Sequence, residues 1–317
     1  MNSIKEYFKE QAIPLIVLFL MIIIASIISP VFLSSSNFTN LAIQIAVNMI
    51  VSMGMLFVIL TGGIDLSVGS LVAVAGVLCA GFMAKVPLGY SMIIAIAASS
   101  MLGLVNGMII SYIKIAPFIV TLGMMSFARG IAYWYTRSLP ISWLSYPGSD
   151  FLYKLATGNI FKIPYLAIIW ILIVIITALI LKYTIVGRII YSIGGNETAV
   201  RLSGIKVKSW KILPYLFSGI CAGIGGIVLA ARLGVGTPTG GTNLEMDSIA
   251  AVVIGGASFS GGIGSVSGVI IGAFILGIIN NILDLMNVPS YPQMMLKGAI
   301  IVVAVILSKF RENSIRK

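Results

Sequence analysis

The chain has 317 residues, of which 59% are hydrophobic and 9% charged, whereas a soluble domain carries about a quarter charged residues; a soluble fold is excluded and an all-α membrane protein is expected. The net charge of +11 does not point to nucleic acid, because the basic residues are scattered among apolar runs and gather at their ends, as in the cytoplasmic loops of membrane proteins. With no His, and with Cys79 and Cys221 both inside apolar runs, neither a zinc site of the usual ligands nor a disulfide framework is available, so no metal is expected.

A bilayer core of about 30 Å takes roughly 20 apolar residues per helix, and the apolar runs divide into ten segments: 13–28, 41–60, 66–83, 92–113, 118–135, 163–181, 212–233, a short 249–258, 266–282 and 294–307. The first, preceded by Lys5 and Lys9, has no small-residue cleavage pattern after it and reads as an uncleaved span. Gln44 and Asn48 on the second lie four apart and so share a helix face. Gly62 and Gly63 interrupt the chain before the third, and Asp65 follows them. Asn106 lies on the fourth segment, Gly240 and Gly241 precede the eighth, and Asn280 and Asn281 lie on the ninth.

Starting from a cytoplasmic N-terminus, the alternating loops place Lys5, Lys9, Lys114, Lys182, Arg188, Arg201, Lys206, Lys208, Lys211, Lys309, Arg311, Arg316 and Lys317 inside. Lys85, Arg137, Lys154 and Lys162 fall outside, and this bias predicts both termini in the cytoplasm. Arg129 and Arg232 lie near outer span ends, where their side chains can snorkel to the interface.

TGGIDLSVGSLVAV (61–74) aligns with TGGTNLEMDSIAAV (239–252), and half of the positions are identical. The same offset of 178 residues carries the second span onto the seventh, the fourth onto the ninth and the fifth onto the tenth. Because an odd number of spans separates the copies, they cross the membrane in opposite senses. This is an inverted-topology repeat, with halves at about 38–136 and 212–313 of a single transmembrane domain (1–317), and such repeats favour a central pathway. The matched Gly62, Gly63, Gly240 and Gly241 and the short eighth segment predict broken helices lining a cavity.

Several side chains have two readings. Asp65 can cap a helix, as can its mate Asn243, or relay protons or ions at membrane depth. Glu245 and Asp247 are expected in a solvated outer loop, or in contact with an external partner. Gln44, Asn48, Asn106 and Asn280 can hydrogen-bond neighbouring helices or line a polar pathway, where neutral amides suit a neutral polyhydroxy solute. Gly103/Gly107, Gly219/Gly223 and Gly268/Gly272 have the spacing that permits close helix approach.

In the cytoplasmic loop 183–211, GGNETAVRLSGI (194–205) reads as two turns of helix. Asn196 can cap it, Glu197 favours its positive start, and Gly204 can end it in a left-handed conformation. The segment is either a solvated loop or a docking knob for a cytosolic partner. No GxxxxGK[ST] loop occurs, so the chain does not bind ATP in the P-loop manner.

LTGGIDLSVGS (60–70), GGNETAVRLSGI, DSIAAVVIGGASFSGGIG (247–264) and VPSYPQMMLKG (288–298) together resemble the permease subunits of bacterial ABC importers for monosaccharides, closest to the ribose type. The resemblance implies a ten-span fold similar to the vitamin B12 importer's permease, in the bacterial inner membrane. It implies a permease dimer bound by a cytosolic ABC ATPase subunit and an extracytoplasmic sugar-binding protein. No cofactor would bind this chain directly; ATP and Mg would sit on the partner ATPase. Gly195, Asn196, Glu197, Thr198, Arg201, Leu202 and Gly204 would form the ATPase-coupling helix. Ile263 and Asn243 depart from the family's usual basic and aromatic residues, so no contact is carried over to them. A rival reading from the residues is an ion-coupled secondary transporter of a small polar solute centred on Asp65, which inverted repeats also serve.

Overall fold

A computed structural model describes residues 2–315; Arg316 and Lys317, expected inside the cell, lie outside the described residues. The chain is built from α1 (Asn2–Ile28), α2 (Ser35–Gln44), α3 (Ala46–Leu60), α4 (Val68–Phe82), α5 (Leu88–Met108) continued by a π-helical turn (Ile109–Ile113), and α6 (Pro117–Thr136). There follow α7 (Ser149–Thr157), α8 (Tyr165–Tyr183), α9 (Ile185–Leu202), α10 (Val207–Trp210), α11 (Ile212–Leu233), α12 (Leu244–Ile254), α13 (Val266–Leu285) and α14 (Ser290–Ile315). The short strands β1 (Ile141–Ser142) and β4 (Val235–Gly236) pair antiparallel, as do β2 (Asn159–Ile160) and β3 (Ile163–Pro164).

The helix starts follow local chemistry. Ser34 Oγ accepts from Asn37 N at the head of α2, and Ser265 Oγ accepts from Gly268 N at the head of α13, each satisfying a free N–H of a first turn. Pro117 opens α6, where its missing N–H costs nothing.

Every apolar run falls on a helix, and the protein is a helical membrane protein. Among the described residues, Leu88–Ile113, Tyr165–Tyr183, Val207–Leu233 and Val266–Leu285 are each long and apolar enough to cross a membrane, and α2 and α3, bent by 44°, reach that length and apolarity only as a pair, as a broken span or a re-entrant loop. The helices α4 and α12, with 15 and 11 residues, are shorter than a full crossing.

Two boundaries correct the sequence reading. The second segment is broken at Ile45 with no Gly or Pro there, so Gln44 and Asn48 stand on different helices. The eighth helix begins at Leu244 and ends at Ile254, with irregular chain from 255 to 264 in place of its expected second half.

The centre of the bundle is α11, which packs against α3, α4 and α5. Lipid is as apolar as the helices, so association depends on close packing. A Cβ placed on Gly103 would lie 3.1 Å from Gly219 Cα, and one on Gly223 would lie 2.9 Å from Ile96 Cα; the small residues bring the two backbones together. At the far end of α11, the buried Trp143 donates from Nε1 to Ala230 O at 2.9 Å. This bond and the β1–β4 pairing fasten the 137–164 connection over that end.

Candidate functional site

The end of α11 that carries Arg232, together with the α2–α3 bend, the head of α12 and the middle of α13, encloses a cavity of about 190 Å³. Its polar lining is Gln44, Asn48, Arg232, Thr242, Asp247 and Asn280, with Gly241 contributing backbone. Four sequence candidates, Gln44, Asn48, Gly241 and Asn280, thus meet although they come from three separate stretches of chain. The bend at Ile45 does not separate Gln44 from Asn48, since both still line the same space.

The hydrogen bonds around the cavity leave groups free for a solute. Gln44 Nε2 donates to Asp284 Oδ2 at 2.7 Å, and Asp284 Oδ1 accepts from Gln293 Nε2 at 3.0 Å. Asn48 Oδ1 accepts from Ser52 Oγ at 3.2 Å. Asn280 Oδ1 is buried with no partner among the described residues, a state that costs roughly 1–3 kcal/mol. Asp247 is paired with Lys297 at 3.1 Å, so its charge is neutralised by α14, and Arg232 lies within electrostatic reach of Asp284. The cavity is therefore polar and charge-balanced, with donors and acceptors but no nucleophile paired with a base.

Two sequence readings are corrected here. Glu245 and Asp247 are not in a solvated loop; they stand in the first turn of α12 and are partly buried. Arg129 does not snorkel: its Nη1 donates to Pro238 O at 2.6 Å and to Gly240 O at 2.8 Å. The unwound chain before α12 exposes carbonyls that lipid cannot satisfy, and the guanidinium satisfies two of them.

Asp65 lies elsewhere, fully buried at the break between α3 and α4. Its Oδ1 accepts from Ser67 N at 3.0 Å and from Ser67 Oγ at 2.6 Å, and its Oδ2 accepts from Ser218 Oγ of α11 at 2.7 Å. Asn106 Nδ2 of α5 donates to Ser67 Oγ at 3.0 Å, so Asn106 belongs to this network and not to the cavity. Asp65 satisfies the N–H at the head of α4, while its mate Asn243 is exposed, left-handed at φ 65° and makes no side-chain cap. The two copies of the repeat differ here because Asp65 has Ser67 and Ser218 to bind.

The first turn of α4 touches the break before α12. A Cβ on Gly241 would lie 2.6 Å from Gly69 O, and Gly69 would in turn overlap Gly241 O; the heads of α4 and α12 meet backbone to backbone. Gly62 is left-handed at φ 73°, and Gly63 leaves the space that the Tyr215 hydroxyl of α11 occupies. Gly240 lies in the unwound chain held by Arg129.

The segment 194–205 is a kinked continuation of α9. Asn196 departs from helical geometry (φ −160°, ψ 93°), and its Oδ1 accepts from Ala199 N at 3.0 Å, restarting the helix; Gly204 ends the turn at φ 85°. Gly195, Asn196, Glu197, Thr198, Arg201 and Leu202 are all exposed, Leu202 by 80%. Beneath them Ile193, Val200 and Val207 form a small apolar core, and Glu197 pairs with Lys211 at 2.9 Å. The turn thus presents Leu202 and its charged neighbours to solvent from a small apolar base.

Comparison with known proteins adds the following. A family described as branched-chain amino acid transport system / permease component matches residues 37–305. The ribose import permease protein RbsC of Escherichia coli is 40% identical over 97% of this chain and 96% of its own length. The proteins of the same name from Bacillus subtilis and Haemophilus influenzae are 41% and 40% identical, each over 93% of this chain and 92% of their own. No solved structure gives a significant match.

Proposed function

The chain belongs to the family described as branched-chain amino acid transport system / permease component, and from that premise we propose that it is the permease subunit of an ATP-driven importer that carries a monosaccharide, ribose first, across the bacterial inner membrane. The single observation that carries this reading is the 40% identity to a ribose import permease along 97% of the chain.

The sugar crosses unmodified. The neutral, hydrogen-bonding cavity around Asn48 and Asn280 supports a solute with hydroxyls and no net charge, and it is the outer stop of the pathway. A sugar-binding protein delivers to that side, and a cytosolic ABC ATPase, which holds ATP and Mg, grips the exposed turn 195–204 on the other. The permease works as a pair, most simply of two identical copies.

The ten apolar segments are arranged in the manner of the vitamin B12 importer's permease, with both termini cytoplasmic and the repeat halves inverted, α4 and α12 crossing only together with the unwound chain beside them. The support is the basic bias of the connecting segments and the apposition of the first turn of α4, at Gly69, with the glycine break before α12, at Gly241. A rocking of the two halves about this meeting point exposes the cavity alternately to each side.

Reconstitution in lipid vesicles, with and without a candidate ATPase and binding protein, tests the reading. ATP-dependent ribose uptake that requires both partners is expected. Uptake by the chain alone, driven by an ion gradient, would favour the secondary-transporter rival, which the buried Asp65 keeps open.

A further inference from the structure

The kink in α9 is packed against both repeat halves through glycine backbone, with a side-chain hydrogen bond from Tyr191 beside it. Gly262 N donates to Leu60 O, the last carbonyl of α3, at 2.9 Å, so the end of the first half's broken helix is bonded to the irregular chain between α12 and α13. Gly194 is pressed into this bond: a Cβ there would overlap both Leu60 O and Gly262 N. On the other side, a Cβ on Gly261 would lie 2.9 Å from Gly194 Cα and from Gly62 N, and one on Gly262 would lie 2.8 Å from Gly195 N. Tyr191, one turn earlier on α9, donates from its Oη to Gly264 O at 2.8 Å.

Three stretches distant in sequence therefore meet with no side chain between them. Interposed side chains have rotamers that absorb small displacements, whereas close-packed backbone transmits them. Two residues beyond Gly194 the helix kinks and emerges as the exposed turn.

We infer that Gly194 is a positioning residue for transport: the joint it makes with Leu60 and Gly262 converts movement of the exposed turn into movement of the break after α3 and of the irregular chain between α12 and α13. The inference rests on the reading that 195–204 engages an ATPase. It locates the transmission at one glycine, in contrast to Gly123 of α6, where a Cβ meets nothing within 4 Å.

That contrast supplies the test, made on the full transporter in vesicles with sugar uptake and ATP hydrolysis measured together. Gly194→Ala is expected to keep its ATPase partner and to hydrolyse ATP, while sugar moved per ATP falls about 10-fold or more, within the usual range of coupling free energies. Gly123→Ala, on the exposed face of α6, is expected to keep the wild-type ratio. Loss of stability alone would lower uptake and hydrolysis in proportion and leave the ratio unchanged.

Tyr191→Phe, which removes the bond to Gly264 without adding bulk, is expected to lower the ratio by roughly 2- to 5-fold, the worth of one hydrogen bond; it decides the matter if Gly194→Ala does not fold. An unchanged ratio in Gly194→Ala, or in Tyr191→Phe where the former cannot be made, overturns the joint while leaving the importer reading intact. A wild-type protein that neither binds the ATPase nor uses ATP overturns both.

Discussion

Replacing Asp65 separates a structural carboxylate from an ion relay. In Asp65→Leu three donors lose their acceptor: Ser67 N, at 3.0 Å; Ser67 Oγ, at 2.6 Å; and Ser218 Oγ, at 2.7 Å. A buried donor left unpaired costs about 1–3 kcal/mol. The two hydroxyls can rotate toward other acceptors, but the Ser67 N–H at the head of α4 cannot, so the net loss is about 2–5 kcal/mol.

Asp65→Asn keeps a carbonyl oxygen for Ser67, and Ser218 Oγ can turn to accept from the new amide, which limits the loss to about 1 kcal/mol. Thermal unfolding in detergent should rank wild type, Asn and Leu in that order. ATP-dependent uptake in vesicles should survive in Asp65→Asn. If Asp65→Asn folded normally but lost uptake, titration of Asp65 would be part of the cycle and the structural account would be wrong; if Asp65→Leu were as stable as wild type, the network would not hold the break.

Asn280→Leu removes the unpartnered carbonyl from the cavity, so stability should change by less than about 1 kcal/mol while uptake at limiting sugar falls roughly 3- to 10-fold; full uptake would take the cavity off the pathway. Ala at both Glu197 and Arg201 leaves the apolar support of the turn untouched, so membrane insertion should be retained and co-purification of the ATPase lost. Lys297→Met strands the Asp247 carboxylate and should cost about 1–3 kcal/mol, less than for a fully buried pair, with most of it recovered by adding Asp247→Asn; unfolding temperatures of the two variants check this.

Local signals were legible wherever a backbone rule left one answer. Asn196 three residues before Ala199, with Gly204 closing the turn, specifies the short helix of the exposed segment, and the structure has that cap and that left-handed glycine. The paired glycines announced both helix breaks. The bend at Ile45 had no such signal, because nothing in its neighbourhood is a helix breaker; the packing of its neighbours imposes it. Arg129 read as a snorkelling side chain because its partners, Pro238 O and Gly240 O, are backbone carbonyls over a hundred residues away that become available only when the chain unwinds.

The amino-acid sequence by itself determined that this is a helical membrane protein, since burial in lipid demands apolar helices, and it carries the repeated TGG segment as a pattern of letters. Which polar residues act together was decided only by tertiary structure. In a chain apolar on nearly every face, periodicity cannot tell a lipid-facing side from a packed one. Gln44, Asn48 and Asn280 share a cavity while Asn106 joins Asp65 because close glycine contacts set how α11 lies against its neighbours, and that geometry alone brings distant amides to one place or another.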